Sequence, residues 1–322
     1  MKIAMIGAGG IAQRHLHMLA KEPGLELVGH VARTPKNRLE AAQRWGGQGY
    51  ATCEDLFDHE TVDAAWITVP PGEHGTIERC LIERGVPFFV EKPLSAERET
   101  AAEIGAMLEK RGVIAGVGYH WRAMDTIPEV RRVLADHPVR MVLAAWHDAT
   151  PSPDWWRRQA QSGGQVVEQA THLFDIARYL LGEAKIVAAS AKRHTRPAYP
   201  DADIADVNVS LLQFDKGATG VFTATCLLER AAAINVQLVC EGLLITITQK
   251  SVIFDTGREC REVRASEDPV ARENRAFLEA IRHHNSSLLF SSYQDALHTH
   301  RLTFDVLAAS KNKGNNLLRS PE

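Results

Sequence analysis

The chain has 322 residues, a formal net charge of −3 and 45% hydrophobic residues. This length exceeds that of one typical domain and suits two, each with a core of its own. Acidic and basic residues are interspersed, which argues against nucleic acid as the main partner, and no apolar run reaches the roughly 20 residues that a membrane span requires.

Residues 1–118 alternate strand and helix signals, as a parallel α/β sheet requires. Thr34 and Pro35 are typical of a helix start, and Gly85 and Gly112 of helix ends. The predicted strands are residues 2–6, 25–31, 64–69, 86–90 and 113–117, and the predicted helices are 10–20, 35–45, 76–84 and 97–111. Five strands with intervening helices indicate a nucleotide-binding domain over residues 1–118.

From residue 119 to residue 322 the pattern changes to longer strands, which predicts a second, α+β domain. Asp215-Lys216-Gly217 is typical of a hairpin turn between two of these strands. One helix is predicted at 166–181, and two more near 270–282 and 292–310. The two C-terminal helices could pack back on the first domain. The predicted strands are residues 139–146, 185–192, 207–214, 218–227, 235–240 and 243–248. A mainly antiparallel sheet is the expected product.

The first predicted strand runs into a loop of the form G-x-G-x-x-A, formed by Gly7, Gly9, Gly10, Ile11 and Ala12. The first glycine permits a tight turn, the second lets the backbone approach a pyrophosphate, and the small third position lets helix pack on strand. The N-terminus of the following helix offers unpaired N–H groups to phosphate. A strand before the loop and a helix after it make this a strong dinucleotide-binding signal rather than an ordinary glycine turn.

The end of the second strand bears on the choice of cofactor. A protein that prefers NAD usually has an acidic residue here, whereas this chain has Arg33 and Thr34, followed by Lys36 and Arg38. Arg33 and the Thr34 hydroxyl would suit a 2′-phosphate. We therefore favour NADP over NAD; the alternative is that these cations form a solvated helix start and NAD is accepted.

A strand-like run at 86–90 leads directly into Glu91-Lys92-Pro93. Ligands of doubly wound sheets bind beyond the carboxyl ends of the strands, so Lys92 would face whatever the glycine loop holds. A lone lysine before a proline is usually solvated. The glycine loop some eighty residues earlier favours the functional interpretation.

The predicted helix 166–181 has an apolar face and an opposite face that carries Glu168, His172, Asp175 and Tyr179. The simplest alternative is a polar face in water, but this one lacks the mixed charges typical of a solvated helix. A neighbouring carboxylate, Glu168 or Asp175, would orient His172 and raise its basicity. Without a third cluster of ligands we predict no metal site on this face. His15-x-His17 and His298-x-His300 are weak candidates too, because residues two apart on a helix point to different faces.

Five cysteines are scattered without CxxC spacing, and the N-terminus turns into glycines too early for a signal peptide. We therefore expect the thiols to be reduced and the protein to be cytoplasmic. These cysteines are Cys53, Cys80, Cys226, Cys240 and Cys260.

Taken together these motifs resemble the glucose–fructose oxidoreductase/inositol dehydrogenase/rhizopine catabolism family, abbreviated Gfo/Idh/MocA, over nearly the whole chain. The markers in the first domain are the glycine loop, residues 62–66, Thr68-Val69-Pro70 with His74, and Glu91-Lys92-Pro93. Further markers are residues 118–122 and Gly163-Gly164 leading to His172 and Asp175. Within residues 62–66, this chain departs from the family pattern at Trp66. Glu168 stands where the family usually has aspartate, which lengthens that carboxylate by one methylene.

The resemblance implies a Rossmann domain joined to an open-faced, mainly antiparallel sheet that commonly mediates homo-oligomerisation. It also implies Lys92 beside the nicotinamide, His172 as acid/base, a cis peptide before Pro93, and a cofactor site that includes Pro70, His74 and Glu91. Substrate contacts are expected from the segment at the domain junction and from an aromatic-basic cluster, namely His120, Trp121, Arg122, Trp155 and Arg157. Packing against the domain junction is the alternative for all five.

Our leading hypothesis is an NAD(P)-dependent oxidation of a secondary alcohol on a sugar, polyol or related small molecule. His172 would take the hydroxyl proton, helped by Glu168 or Asp175, while Lys92 would stabilise charge on the reacting oxygen. The resemblance also admits a glycoside hydrolase that holds its nicotinamide permanently. A non-catalytic, cofactor-binding sensor is the third hypothesis, although such a protein needs neither Lys92 nor His172.

Overall fold

The structure is a computed structural model that describes residues 1–311, and the chain divides into two units. The first comprises Met1–Ile127 and Ala265–Leu297; the second comprises Pro128–Arg264 and the described residues from His298. The sequence predicts a domain boundary after residue 118, which is earlier in the chain than the break after Ile127. Residues 265–297, which carry the first of the two C-terminal helices, belong to the first unit.

The first unit is built on a six-stranded parallel sheet in the order β3-β2-β1-β4-β5-β6. Its strands are β1 (Lys2–Ile6), β2 (Glu26–Val31), β3 (Gln48–Tyr50), β4 (Ala64–Ile67), β5 (Phe88–Val90) and β6 (Ala115–Val117). Its helices are α1 (Gly10–Leu19), α2 (Pro35–Trp45), α3 (Cys53–His59), α4 (Thr76–Glu83), α5 (Arg98–Arg111) and α10 (Pro269–Arg282). This is the doubly wound arrangement that the alternating signals predict, with β3 and α3 in addition.

Two apolar cores cover the two faces of this sheet, because successive strand residues point to opposite sides. Ala64 and Trp66 of β4 lie in the core that α1 and α10 cover. Ala65 and Ile67 lie in the opposite core, with side chains of α4 and α5. Burial of Trp66, which is fully enclosed, contributes roughly 3 kcal/mol.

Backbone hydrogen bonds tie together the loops at the carboxyl edge of the sheet. The Thr68 N–H donates to Ile6, the Glu91 N–H to Ile67 and the Gly118 N–H to Val90, at 2.7–2.9 Å. These bonds continue the strand ladders past the last strand residues. The segments after β1, β4, β5 and β6 therefore lie side by side at this edge.

The second unit is built on an eight-stranded sheet in the order β14-β13-β12-β11-β7-β10-β9-β8. The pairing is antiparallel except between β7 and β10, which are parallel. Its strands are β7 (Val139–Ala149), β8 (Ala184–Lys192), β9 (Val207–Phe214), β10 (Thr219–Leu228), β11 (Ala233–Cys240), β12 (Leu243–Thr248), β13 (Ser251–Asp255) and β14 (Cys260–Arg264). The mainly antiparallel sheet is thus confirmed, with β13 and β14 not anticipated.

The helices of the second unit include one that differs from its prediction. The helix expected at 166–181 is two helices, α8 (Gln165–Glu168) and α9 (Thr171–Leu181), after α6 (Ile127–Asp136) and the short α7 (Gln159–Ser162). The Ala170 N–H donates to the carbonyl of Gln165, five residues earlier, at 2.9 Å. One extra residue therefore widens the turn and interrupts the helix. The last helix, α11, is Tyr293–Lys311.

Phe174 of α9 stacks on Phe222 of β10, with ring centroids 4.6 Å apart, so α9 covers one face of the second sheet. Every residue of α9 from Thr171 to Arg178 is buried. His172 and Asp175 are therefore enclosed by protein and not solvated, whereas Glu168 and Tyr179 of the same predicted face are partly buried.

Within residues 1–311, no helix combines the length and the apolar character needed to cross a membrane.

Candidate functional site

The glycine loop connects β1 to α1 as predicted. Gly7 has φ +111°, and a Cβ atom there would lie 2.5 Å from the Thr68 carbonyl oxygen, so only glycine fits. Gly9 precedes α1, and a Cβ atom on Gly9 or Gly10 would meet no atom of residues 1–311 within 4 Å. The backbone at these two glycines is open to a ligand, while Ala12 is fully buried under the sheet. The loop thus has the shape of a pyrophosphate cradle at a helix N-terminus.

Lys92 follows β5 at the same edge of the sheet, and it is partly buried. The Lys92–Pro93 peptide is cis, as the family resemblance implies. Glu91 is buried, and its carboxylate accepts the Lys92 N–H at 3.2 Å. A Cβ atom on Gly118 would lie 2.7 Å from this carboxylate, so a glycine after β6 leaves the space that Glu91 occupies.

Three buried titratable side chains meet behind Lys92, in the first unit. His15 of α1, Glu91 and Glu273 of α10 place one side-chain atom each within 4.8 Å of one another. Burial alone would raise the pKa of Glu91, but the His15 hydrogen bond and the charges of His15 and Lys92 hold it below its ordinary value. Burial, and then the charge of Glu91, raises the pKa of Glu273 well above its ordinary value. The surroundings therefore favour the ionised form of Glu91 and the protonated form of Glu273.

His120, just after β6, is another titratable group of this unit. Burial lowers the pKa of His120 to about 4, against the opposing charge of Glu91. Its imidazole is therefore neutral at pH 7 and is able to accept a hydrogen bond. Its neighbours are more enclosed: Trp121 is buried, and Arg122 is buried in an ion pair with Asp295.

Arg33 and Thr34 lie after β2, as the cofactor hypothesis requires. Arg33 is exposed and pairs with Glu73 at 2.8 Å. Thr34 is the N-cap of α2, and its hydroxyl makes no capping bond. The Arg38 guanidinium donates to the carbonyls of Ala32 and Arg33, so Arg38 supports the turn.

His74 lies beyond Pro70, after β4. Its Nδ1 is 2.6 Å from Glu78, a fully buried carboxylate that also accepts the Gly75 N–H at 2.6 Å. His74 is therefore held rigidly by the first turn of α4. The glycine loop, Pro70 and Glu91 share the sheet edge described above.

In the second unit, His172 lies in the first turn of α9 with 3% of its surface exposed. Its ring stacks on Trp146 of β7, with centroids 5.9 Å apart and planes 18° from parallel. This stacking fixes the plane of the imidazole. Trp146 was not among the residues singled out from the sequence, because only the sheet register brings β7 under α9.

The two carboxylates proposed to assist His172 also have other partners. Trp156 donates its indole N–H to Glu168 at 2.6 Å, and the Thr299 hydroxyl donates to Asp175 at 2.8 Å. Tyr179 accepts a hydrogen bond from Arg131 of α6 at 3.1 Å. Which carboxylate assists His172 stays a prediction.

Trp155 and Arg157 lie in a short helical turn before α7. Arg157 donates to the carbonyls of Pro151 and Ser152, and its guanidinium lies 5.0 Å from the Tyr199 ring. Trp155 packs beside a small apolar cluster that contains Trp156. Arg157 thus stabilises the conformation of its own loop. Its contact with substrate stays a prediction.

A doubly wound parallel sheet with an open glycine cradle at a helix N-terminus defines a dinucleotide-binding protein. A family model described as an oxidoreductase family with an NAD-binding Rossmann fold matches residues 1–119, and the Gfo/Idh/MocA C-terminal domain model matches residues 137–243. The chain belongs to the Gfo/Idh/MocA family, and its first unit binds a nicotinamide cofactor.

Similar proteins include scyllo-inositol 2-dehydrogenase (NAD⁺) of Bacillus subtilis, 27% identical over 68% of this chain and 66% of that protein. Two solved structures share the fold. Levoglucosan dehydrogenase in complex with NADH and levoglucosan has a TM-score of 0.87 at 19% identity, covering 98% of each chain. A 3-ketoreductase from Actinomadura kijaniata in complex with NADP and TDP-benzene has a TM-score of 0.84 at 21% identity, covering 96% of this chain and 97% of that one.

Proposed function

We propose that this chain is a dehydrogenase or reductase that acts on a secondary alcohol of a sugar, polyol or related small molecule. The observation that carries the proposal is Lys92 at the carboxyl end of β5, beside the segments that follow β1 and β4. Similar proteins act on an inositol and on levoglucosan, both of which carry secondary alcohols. The nicotinamide, when bound, supplies the hydride acceptor or donor.

Two side chains have the main roles in this proposal. Lys92 binds the reacting oxygen and stabilises the negative charge that develops on it. His172, with its ring plane set by Trp146, takes the proton of the hydroxyl group, and Glu168 or Asp175 raises its basicity.

We also favour NADP as the cofactor. Arg33 is exposed at the end of β2, and the Thr34 hydroxyl is not used as a helix cap, so both are accessible to a 2′-phosphate. Glu73 pairs with Arg33, and a bound 2′-phosphate would have to displace it. Dissociation constants for NADP and NAD, measured in parallel, test this preference.

The experiment that tests the function follows nicotinamide absorbance as the purified chain meets inositols, aldoses and other polyols, with NAD and NADP in parallel. Lys92→Ala and His172→Ala should each lower turnover by about 10²-fold or more while cofactor affinity stays nearly unchanged. Lys110→Ala, at the exposed end of α5, is the matched control and should behave as wild type.

Unchanged turnover in both site variants would contradict the assigned roles. Cofactor that survives dialysis without net reduction would favour the hydrolase hypothesis. Cofactor binding with no turnover on any substrate would favour the sensor.

Homo-oligomerisation through the second sheet and a cytoplasmic location complete the proposal. The outward face of that sheet exposes Met141, Leu143 and Val209. All five cysteines are free thiols, which suits a reducing compartment.

A further inference from the structure

The first unit contains a buried polar cluster that the proposed mechanism does not use. It consists of His15 on α1, Glu91 after β5, and Glu273 and Asn274 on α10, each with at most 6% of its surface exposed. Trp66 of β4 completes the cluster from the sheet. Buried polar groups are costly unless they are paired, so the hydrogen bonds within this cluster have to be specific.

The hydrogen bonds determine which nitrogen of His15 carries a proton. Trp66 Nε1 is only a donor and lies 2.9 Å from Asn274 Oδ1, so the atom at that position is the amide oxygen. His15 Nδ1 lies 2.9 Å from the same oxygen and is therefore protonated. His15 Nε2 then faces Glu91 Oε1 at 2.9 Å, with a single proton between the two atoms.

This shared proton leaves the His15–Glu91 pair neutral overall, and the lowered pKa of Glu91 favours a position nearer the nitrogen than the oxygen. A neutral, hydrogen-bonded pair is the form in which such groups tolerate burial. Glu91 is then held through both oxygens, with Oε1 at His15 and Oε2 at the Lys92 N–H. The path from α1 to the backbone of Lys92 is therefore a continuous chain of hydrogen bonds.

The same three titratable groups have the composition of a cation site, since one imidazole and two carboxylates approach within 4.8 Å. However, His15 Nε2 and Glu91 Oε1 already bond to each other, and Glu91 Oε2 bonds to the Lys92 N–H. A cation would have to break the His15–Glu91 bond. The observed contacts favour a shared proton.

We propose that His15 is a positioning residue for Lys92: anchored by Asn274, it holds the Glu91 carboxylate in place and thereby fixes the backbone from which Lys92 extends. This inference rests on the proposed role of Lys92. It adds a residue of the glycine-loop helix to the reaction site, three positions after Ala12.

Two substitutions separate the two hydrogen bonds of His15. The amide of His15→Gln reaches the position of Nε2 and donates to Glu91, whereas the shorter His15→Asn reaches only the position of Nδ1. We expect kcat to fall about 10²-fold in His15→Asn, with KM and cofactor affinity changed much less, and to be largely restored in His15→Gln. His17→Gln, on the exposed side of the same helix, is the matched control.

The pH profile separates positioning from a merely structural role. His15→Asn loses both the hydrogen bond and the charge that oppose the effect of burial on the pKa of Glu91, so the acidic limb of kcat/KM should move to higher pH in this variant. The shift should be smaller in His15→Gln, whose amide still donates to Glu91. The His17 variant should keep the wild-type profile. The charged or titratable groups around Glu91 are His15, Lys92, His120, Glu273, Arg14 and Asp268. Wild-type kcat and an unmoved profile in His15→Asn would overturn the proposal, as would an equal loss of turnover in His15→Asn and His15→Gln.

Nitrogen NMR of histidine-labelled protein tests the pair without any substrate. His15, assigned from its missing signal in His15→Gln, should show a protonated Nδ1, and Glu91→Gln should shift its Nε2 resonance. An unprotonated Nδ1 would overturn the proposal. One equivalent of a divalent cation that survives dialysis in wild type and is lost in His15→Asn would also overturn it, in favour of a metal site. If Lys92→Ala keeps full turnover while the NMR result is as expected, the proposed role of Lys92 and the positioning inference have failed, whereas the His15–Glu91 pair stands. If wild type turns over no substrate while the NMR result is as expected, the proposed function has failed and the pair has not.

Discussion

Two buried carboxyls in the first unit, Glu91 and Glu273, have pKa values displaced in opposite directions by their surroundings. Glu91 has a hydrogen-bonding imidazole and the Lys92 charge beside it, whereas Glu273 has burial and a neighbouring negative charge. Two carboxylates this close disfavour each other's ionisation, which raises the pKa of the one without a cationic partner. Glu273 is therefore the acid that is kept neutral so that Glu91 can be an anion next to Lys92.

The raised pKa of Glu273 predicts a pH-dependent loss of stability. Above its ordinary pKa of 4.5 the unfolded chain releases this proton while the folded chain retains it. The folded state then binds more protons, so the free energy of unfolding falls as pH rises. Each pKa unit contributes about 1.4 kcal/mol. Glu273→Gln has no proton to release, so it should be stabilised relative to wild type by an amount that grows as pH rises above 4.5, over the range in which the folded wild type keeps the proton.

Urea unfolding of wild type and Glu273→Gln across that pH range measures this difference. Glu109→Gln, at an exposed position of α5, is the control, and its effect on stability should change little with pH. Parallel stability curves for wild type and Glu273→Gln would contradict the assignment of a raised pKa to Glu273.

At the level of the element, the β1–loop–α1 segment contains two glycines with different requirements. Gly7 has a positive φ and no room for a Cβ atom against Thr68, so Gly7→Ala should destabilise the first unit by several kcal/mol. Gly9 has φ −74° and open space, so Gly9→Ala should fold normally. The added methyl group would occupy the place where a pyrophosphate approaches the backbone, and cofactor affinity should fall.

Thermal unfolding and cofactor titration of the two variants distinguish these effects. Gly10→Ala, in the first turn of α1, is a further comparison because its Cβ atom also meets open space. Normal stability in Gly7→Ala, or wild-type cofactor affinity in Gly9→Ala, would show that the loop does not work in this way.

Local patterns were sufficient to predict most of these elements. The apolar runs of β1 and β4 and the Thr34-Pro35 start of α2 are confirmed because each depends on residues close in sequence. The three residues of β3 carry too little apolar pattern to be predicted, since their burial is slight. The prediction of one continuous helix at 166–181 is wrong, because the widened turn before Thr171 has no proline or glycine to mark it.

The site was predictable where it consists of contiguous motifs, as in the glycine loop and Glu91-Lys92-Pro93. The partners of its side chains come from distant parts of the chain. Asn274 is 259 positions from His15, and Thr299 is 124 positions from Asp175. A histidine in the first helix reads as an ordinary polar residue until α10 is placed beside it. Such pairings depend on tertiary packing and have no local signal in a single sequence.

At the scale of the whole molecule, the feature to explain is what covers the outer face of the second sheet. Inward residues of β9 and β10 are buried by α8 and α9, while alternate residues point outward. The outward positions at its centre are uncharged: Met141, Leu143 and Ala145 of β7, and Val221 and Thr223 of β10. Apolar side chains on an open sheet are typical of an interface, and a second copy of the chain is the partner we propose for this face.

Leu143→Lys tests this assembly. Copies related by a two-fold axis bring the same patch together, so each new lysine meets an apolar surface and lies near its own symmetry mate. An unpaired charge in such an interface costs several kcal/mol, and we expect the variant to dissociate at concentrations where wild type is assembled. Light scattering coupled to size-exclusion chromatography measures the mass. Leu39→Lys, at an exposed leucine of α2, is the matched control and should keep the wild-type mass. A wild type that is monomeric at every concentration, or a Leu143→Lys variant of unchanged mass, would show that this face is not the interface.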